Sequence, residues 1–195
     1  LVPFAMTGVR PVYLPAVAPL SDFLETNVRT YVHFKDRDPG VWFFSLDAAN
    51  AVAVKLARTW FKLPYHYATM GTEITRDGAE GLAVWYRTER HWPEPTPGRL
   101  EVHYDVSADE PVRPAEPGSL EHFLAERYVL YAKRGADLYL GRVHHPPYPL
   151  RRASVRAVRE DLLAAARIDR PEGPPSLVHY AESVSVDVYG LERLR

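Results

Sequence analysis

A polar face on one predicted strand is the first feature of this sequence that suggests chemistry. The segment from Thr26 to Phe34 alternates apolar and polar side chains, and its polar positions are Asn27, Arg29, Tyr31 and His33. This period of two predicts a β-strand with one polar face. If that face lines an interior, Arg29 offers a planar fork of N–H donors to a carboxylate or a polarised carbonyl, and Tyr31 lies beside it. The alternative is that the face meets solvent.

The segment from Lys62 to His66 brings two more polar side chains to the start of a strand. Adjacent strand residues point to opposite faces, so we expect only one of Tyr65 and His66 to enter a cavity. Tyr65 would serve as a hydrogen-bond donor or weak acid, and His66 as a proton shuttle near neutral pH. The alternative is an aromatic core position followed by a surface histidine.

Glu121, Arg127 and Tyr128 follow the Pro117-Gly118 turn and form a third group. An ion pair between Glu121 and Arg127 would order the junction between a helix and a strand, since buried charges are usually paired. The functional alternative makes Glu121 a general base in a cavity, with its pKa raised by loss of hydration. Arg127 and Tyr128 would then contact the ligand.

The run His144-His145-Pro146-Pro147 raises the question of a metal site. Neighbouring histidines on a strand project to opposite faces, and the sequence has no HExxH motif, no second histidine pair at ligand spacing and no acidic cluster. We therefore predict no metal, with His145 facing a cavity as a candidate proton-transfer group and His144 facing outward. A Gly-rich phosphate loop is also absent, so no cofactor is predicted.

The composition restricts the classes of function. A chain of 195 residues with 46% apolar residues is expected to form one domain, over 1–195, with a substantial core. The formal charge of -1 argues against nucleic acid or an anionic membrane as a partner. The lack of cysteine excludes disulfides, thiolate zinc sites and a cysteine nucleophile. The sequence shows no signal-peptide pattern and no apolar run of about 20 residues, which predicts a cytoplasmic protein.

The hydrophobic pattern predicts a mainly β protein with a few helices, of the α+β class. Strands are expected over 1–12, 26–34, 41–46, 67–76, 81–91, 99–106, 127–133, 137–145 and 177–189. Helices are expected from an Asp47 N-cap to about residue 61, for about two turns after a Ser119 N-cap, and over 159–167. So many strands favour a closed or nearly closed antiparallel barrel, because closure removes exposed edges. A two-sheet sandwich is the alternative.

Several blocks of the sequence resemble the YqjF-like family of uncharacterised bacterial proteins. The blocks are 4–11, 27–32, 40–50, 117–124, 126–128 and 144–147, in order along nearly the whole chain. That family is similar to the acetoacetate decarboxylase-like superfamily, which implies an antiparallel β-barrel around a central cavity. The resemblance also implies an N-terminal segment that this chain lacks. If that segment is a barrel strand, its absence would expose an edge and allow a homodimer.

The resemblance does not extend to the reactive lysine of the superfamily. The decarboxylase has a strand ending in Asp, an Ala-rich helix and a Gly-x-Pro-Lys-Lys turn. Here the comparable turn is Lys62-Leu63-Pro64-Tyr65-His66, so the two lysine positions fall on Tyr65 and His66. A Schiff base requires an unprotonated amine with a second cation beside it. The sequence therefore predicts that this chain is not a Schiff-base acetoacetate decarboxylase.

Three functions follow from these patterns. The first is binding of a carboxylate- or carbonyl-bearing metabolite in the barrel by Arg29, Tyr31, Tyr65, His66, Arg127, Tyr128 and His145. The second is a lysine-independent lyase or isomerase that acts on an oxo acid, with Tyr65 and either Glu121 or His145 as the acid–base pair. The third is a structural or partner-binding module whose barrel is filled.

Overall fold

The strands and helices of the chain are those of a computed structural model that describes residues 1–8, 21–77, 81–93 and 97–194. The strands are β1 (Val2–Met6), β2 (Phe23–Phe34), β3 (Arg37–Ala48), β4 (Tyr65–Asp77), β5 (Gly81–Trp92), β6 (Arg99–Val106), β7 (Val129–Arg134), β8 (Asp137–His144), β9 (Leu150–Glu160), β10 (His179–Ala181) and β11 (Asp187–Arg193). The helices are α1 (Ala51–Trp60), α2 (Leu120–Ala125) and α3 (Leu162–Ala165). The prediction of a mainly β chain with a few helices is confirmed.

The strands form one large mixed sheet. Its main path runs β10-β9-β6-β5-β4-β3-β7-β8-β11, and β2 lies along the other edge of β3 with β1 beside it. Strand β3 pairs in parallel with both β4 and β7, whereas the other pairings are antiparallel. Parallel neighbours need a crossover connection, which α1 supplies between β3 and β4. The sheet is therefore not the purely antiparallel one predicted, and the pairings among the described strands do not close it into a barrel.

Side chains from distant strands meet on one face of this sheet. Val28 of β2, Tyr86 of β5 and Leu100 of β6 belong to one buried cluster with Leu162 of α3. Because β3 and β4 separate β2 from β5 along the sheet, these contacts require the sheet to curl toward this face. The Tyr86 hydroxyl also donates to the backbone carbonyl of Glu25, at 2.9 Å. The concave face is thus packed with side chains.

The polar positions of β2 lie on the opposite, convex face. Arg29 alternates with Val28 along the strand, and adjacent strand residues point to opposite faces. Tyr31 packs against a second buried cluster that includes Val41 of β3 and Leu130 of β7. The barrel prediction required Arg29 and Tyr31 to lie inside the curl of the sheet. They lie instead on its outer face, under α2.

The helix boundaries show which predicted caps are used. The predicted Asp47 cap is wrong, because β3 continues to Ala48 and the side chain of Asn50 accepts from the N–H groups of Val52 and Ala53. Ser119 caps α2 as predicted, with its hydroxyl accepting from the His122 N–H. Within the described ranges, no helix is both long and apolar enough to span a bilayer.

The C-terminal part of the chain departs most from the predicted elements. The helix predicted over 159–167 is only α3, since Leu150–Glu160 forms strand β9 beside β6. The single strand predicted over 177–189 is wrong. That segment divides into β10, which pairs with β9, and the start of β11, which pairs with β8.

A close approach between β3 and β7 depends on glycine at position 40. A Cβ there would lie 2.6 Å from the backbone oxygen of Val129, and backbone cannot move aside cheaply. Gly40→Ala is therefore expected to lower the free energy of unfolding by about 1–3 kcal/mol, measured by urea denaturation. Gly190→Ala is the matched control, because a Cβ at Gly190 meets nothing within 4 Å. Equal losses in the two variants would contradict the role of the β3–β7 contact.

Candidate functional site

Two arginines and a tyrosine meet where the end of α2 covers the convex face of β2. The Arg29 Nη2 and the Tyr31 hydroxyl both donate to the backbone oxygen of Leu124, at 3.1 and 3.0 Å. The last carbonyls of a helix lack intrahelical partners, which explains this contact. The Arg127 guanidinium lies over the Phe123 ring at 4.1 Å and over the Tyr31 ring at 5.6 Å. The structure thus brings Arg29, Tyr31 and Arg127 together, as a ligand site requires.

The two guanidinium groups lack a carboxylate counter-ion. Among the described residues, neither Arg29 nor Arg127 forms an ion pair, and the Nε of each is buried without a hydrogen-bond partner. Burial lowers the pKa of Arg127, and the positive charge of Arg29 lowers it further, although Tyr31 opposes this. The site therefore carries two neighbouring positive charges with unused donors, which favours an anion.

Tyr128 and His145 lie next to Arg127, and Tyr128 contacts a buried glutamate, Glu126. The Glu126 carboxylate accepts from the Tyr128 hydroxyl at 2.6 Å and from the Tyr148 N–H at 3.1 Å. The hydrogen bond to Glu126 is the main cause that raises the pKa of Tyr128 to about 12. His145 is buried between the rings of Tyr128 and Tyr148, with centroid distances of 4.6 and 4.7 Å. The His145 and Tyr128 rings thus form one wall of the region. Glu126 belongs to the 126–128 block of the resemblance, but it was not predicted as a site residue.

Tyr65 is paired with a residue that the sequence predictions did not include. Its hydroxyl donates to Glu25 Oε2 at 2.8 Å, and Glu25 is only 3% exposed. Burial raises the pKa of Glu25 to about 8, while the hydrogen bond from Tyr65 opposes the rise. Glu25 occupies the same face of β2 as Arg29, four positions earlier. The alternation of polar residues already includes Glu25, two positions before Asn27, although the predicted strand began at Thr26. Extending the predicted strand toward the N-terminus would have identified Glu25.

His66 points to the other face, as expected for the neighbour of Tyr65. Asp47 is its register partner on β3, and Arg90 Nε donates to Asp47 Oδ1 at 2.8 Å. Burial lowers the pKa of His66 to about 4, and the charges of Arg90 and Arg58 lower it further. A histidine with this pKa is neutral near pH 7, which does not fit the proton shuttle predicted for it. His66 also lies on β4, on the face opposite that of Tyr65, and β3 separates β4 from the strand that carries Arg29.

Glu121 is placed differently from both predictions made for it. It pairs with His179 at 3.0 Å and with Arg152 at 4.0 Å, and not with Arg127. The hydrogen bond from His179 lowers the pKa of Glu121, whereas a general base in a cavity needs a raised one. We therefore remove Glu121 from the candidate acid–base groups.

The remaining candidates for a site lie apart from the arginine pair. His144 is exposed and 3.9 Å from Asp187, and the described residues contain no group of three or more His, Asp or Glu side chains that could hold a metal ion. A surface groove of about 440 Å³ lies on the outer side of β4, β5, β6 and β9, lined among others by Trp85, His103 and Arg156. None of the predicted site residues lines this groove.

Comparisons with known proteins agree with the YqjF-like resemblance and leave the acetoacetate decarboxylase-like superfamily unconfirmed. The chain is 36% identical over 193 residues to "Uncharacterized protein YqjF" of Bacillus subtilis (strain 168), a match that covers 99% of this chain and 75% of that protein. No solved structure matches the chain. The family model of DUF2071, described as "Uncharacterized conserved protein", matches residues 1–185. The chain therefore belongs to the DUF2071 family.

Proposed function

We propose that this protein binds a small molecule bearing a carboxylate or carbonyl group, between the convex face of β2 and the segment 123–128. The observation that carries the proposal is the pair of Arg29 and Arg127, two neighbouring guanidinium groups without a carboxylate partner among the described residues. Like charges in partly buried surroundings repel unless an anion offsets them. A carboxylate matches the donor fork of a guanidinium and would use donors that the protein leaves free.

Capping of α2 does not account for the whole arrangement. Arg29 uses its Nη2 for the Leu124 carbonyl, and Arg127 uses its Nη1 for the Glu126 carbonyl. The buried Nε of each side chain remains without a partner. An unmade hydrogen bond at a buried donor costs about 1–3 kcal/mol, and more at a charged group. A bound anion would remove this cost, whereas a purely structural role leaves it in place.

The proposal extends to the fold, which we infer to be an opened relative of the acetoacetate decarboxylase-like barrel. The packing of Val28 from β2 against Leu100 of β6 and Val158 of β9 supports this, because it brings opposite parts of the sheet together. The proposed ligand site differs from a central cavity, since side chains fill the concave face. It lies on the outer side of β2, where α2 covers it.

Binding is expected to depend on both arginines and on the ligand's charge. A suitable probe is 4-oxopentanoate, which carries a carboxylate and a ketone in one small molecule. Arg29→Gln or Arg127→Gln should weaken its binding about tenfold to hundredfold, because each removes a charge-assisted hydrogen bond worth about 1.5–3 kcal/mol. Isothermal titration calorimetry measures the dissociation constant directly.

Two controls separate this site from general electrostatic attraction. The methyl ester of 4-oxopentanoate has the same shape but no charge, and should bind at least about tenfold more weakly. Arg142→Gln removes an exposed positive charge from β8 and should leave the affinity unchanged. Failure of 4-oxopentanoate to bind, or equal losses in Arg142→Gln and Arg29→Gln, would overturn the proposal.

A further inference from the structure

A second polar pair lies on the same face of β2 as the arginine site. Glu25, Asn27 and Arg29 occupy alternate positions of the strand, so their side chains project to the same side. The Cα atoms of Glu25 and Arg29 are separated by about 13 Å, at about 3.3 Å per residue. Tyr65 reaches this row from β4, because its register partner Leu46 lies on β3 opposite Asn27. The Glu25–Tyr65 pair and the proposed carboxylate site are thus the two ends of one polar row.

The middle of the row also holds an unused polar atom. Asn27 is 4% exposed, and its Oδ1 is buried without a hydrogen-bond partner. Buried polar groups are normally hydrogen-bonded. Asn27 Oδ1 and Arg29 Nε lack a protein partner, and a bound polar molecule or a water would supply one. The row therefore offers unused hydrogen-bonding atoms at two successive positions of this face, Asn27 Oδ1 and Arg29 Nε.

Glu25 is unusual because it is a buried acid without a cation. No ion pair joins it to a basic side chain among the described residues, and its titratable neighbours are Tyr65, Asp47 and Tyr86. Structural buried carboxylates are usually paired with a basic group. Tyr65 is partly exposed and covers Glu25 from one side. A molecule that reached the Tyr65 hydroxyl would have the carboxylate of Glu25 2.8 Å behind it.

We propose that Tyr65 and Glu25 form a proton-transfer pair that enolises an oxo acid whose carboxylate is held by Arg29 and Arg127. This inference rests on the proposed function of the arginine site. Tyr65 is the catalytic residue, because its hydroxyl oxygen touches the substrate. Glu25 acts through Tyr65 as the acceptor of its proton.

The proton and electron balance of this step is complete without a cofactor. The bond between a hydrogen and the carbon next to the substrate carbonyl breaks, and that proton moves to Tyr65 Oη. The Tyr65 hydroxyl proton moves at the same time to Glu25 Oε2, 2.8 Å away. The C–H electron pair becomes the C=C bond of the enolate, and the carbonyl π pair moves onto its oxygen. The reverse transfer returns a proton to the carbon and restores the ketone. If that proton comes from solvent, the hydrogen beside the ketone has been exchanged.

The row also sets the length of the substrate. A carboxylate bound beside Arg29 and a carbonyl near Tyr65 lie several ångströms apart, since each step of two residues along β2 spans about 6.6 Å. This spacing favours an acid in which methylene groups separate the carboxylate from the ketone over a 2-oxo acid. The substrate class is therefore an aliphatic oxo acid with methylene groups between its carboxylate and its ketone, and 4-oxopentanoate is a small probe of this class.

Proton exchange of 4-oxopentanoate in D₂O tests the proposal. We expect the wild-type protein to accelerate loss of the signals of the hydrogens beside the ketone, followed by proton NMR. Tyr65→Phe should slow this exchange about 10²-fold or more, the usual contribution of a general acid–base group. Glu25→Gln should slow it similarly. The wild-type rate should rise with pH through about 8, where Glu25 ionises, and Glu25→Gln should lose this dependence.

The controls distinguish failure of the pair from failure of the site. Tyr189→Phe removes an exposed hydroxyl and should exchange at the wild-type rate. Wild-type protein that binds 4-oxopentanoate without exchanging it would overturn the proton-transfer pair and leave the binding site intact, whereas absence of binding would overturn both. Unchanged exchange in Tyr65→Phe would also overturn the pair. If Tyr65→Phe does not fold, the pH dependence of the exchange rate in wild type and Glu25→Gln provides the test. The same pH dependence in both proteins would overturn the pair.

Discussion

Arg90→Met is expected to lower the free energy of unfolding by about 3–5 kcal/mol, measured by urea denaturation near neutral pH. Arg90 donates from Nε to Asp47 Oδ1 at 2.8 Å and from Nη2 to Ser45 Oγ at 3.0 Å. The Arg90 and Asp47 side chains are 3% and 1% exposed. Removing the cation leaves a buried carboxylate without compensation, and this cost is larger than the net value of the pair itself.

An exposed ion pair between β5 and β6 provides the control for Arg90→Met. Arg99 and Glu89 are 2.7 Å apart, with side chains 69% and 51% exposed. Arg99→Met should cost at most about 1 kcal/mol, because water already screens this pair. The double variant Arg90→Met/Asp47→Leu should recover most of the lost stability, since it removes the orphaned charge. Similar losses in Arg90→Met and Arg99→Met would show that the buried pair has no special role.

Alternation of side chains predicted the strands that have one buried face. Strand β6 runs over Arg99–Val106 as predicted, with Leu100 and Val102 buried on either side of the exposed Glu101. The hairpin of β7 and β8 around Gly135 was also predicted from the position of that glycine. In the structure Gly135 follows β7 and has a positive φ of 60°, which glycine adopts readily. Local patterns of this kind need no knowledge of the partner strand.

The errors arise where the pattern is broken or where distant contacts decide. Strand β9 was missed because an irregularity in its pairing, between His103 and Tyr104 of β6, shifts the alternation near Ala157. The helix predicted there starts inside the strand for this reason. Parallel pairing of β3 with β7 joins segments about 90 residues apart, and no local signal in the sequence indicates such a pairing. The antiparallel barrel was predicted from the strand number and from the superfamily resemblance, and neither specifies which strands pair.

The sequence predicted individual residues of the candidate site, but it did not predict which of them lie in contact. The alternation on β2 selected Arg29 and Tyr31, and the resemblance selected Arg127. Their contact depends on α2 folding back over β2, which places Leu124 within hydrogen-bond distance of both β2 side chains. Residue types alone also suggested Glu121 as an acid–base group. The structure assigns the raised pKa to Glu25 instead, since burial and not proximity in sequence determines it.

Glu25→Gln is expected to remove a fall in stability that the wild-type protein shows as the pH rises toward about 8. Burial raises the pKa of Glu25 from 4.5 to about 8 in the folded protein. Between these values the folded protein holds a proton that the unfolded chain has lost. The contribution of Glu25 is therefore fully present below about pH 4.5 and is lost as the pH rises through about 8, at about 1.4 kcal/mol per pH unit.

Urea denaturation of wild type and Glu25→Gln between about pH 7 and about pH 8 measures this slope. Asp47, whose pKa burial raises to about 6, and His66, with a pKa of about 4, have largely finished titrating in this window. Glutamine keeps the acceptor for the Tyr65 hydroxyl but does not titrate, so the stability of Glu25→Gln relative to wild type should increase with pH. Glu192→Gln alters an exposed acid of β11 and should follow the wild-type profile. Parallel profiles for wild type and Glu25→Gln would mean that Glu25 is already ionised in the folded protein. In that case Glu25 would also be too weak a base for the proposed proton transfer.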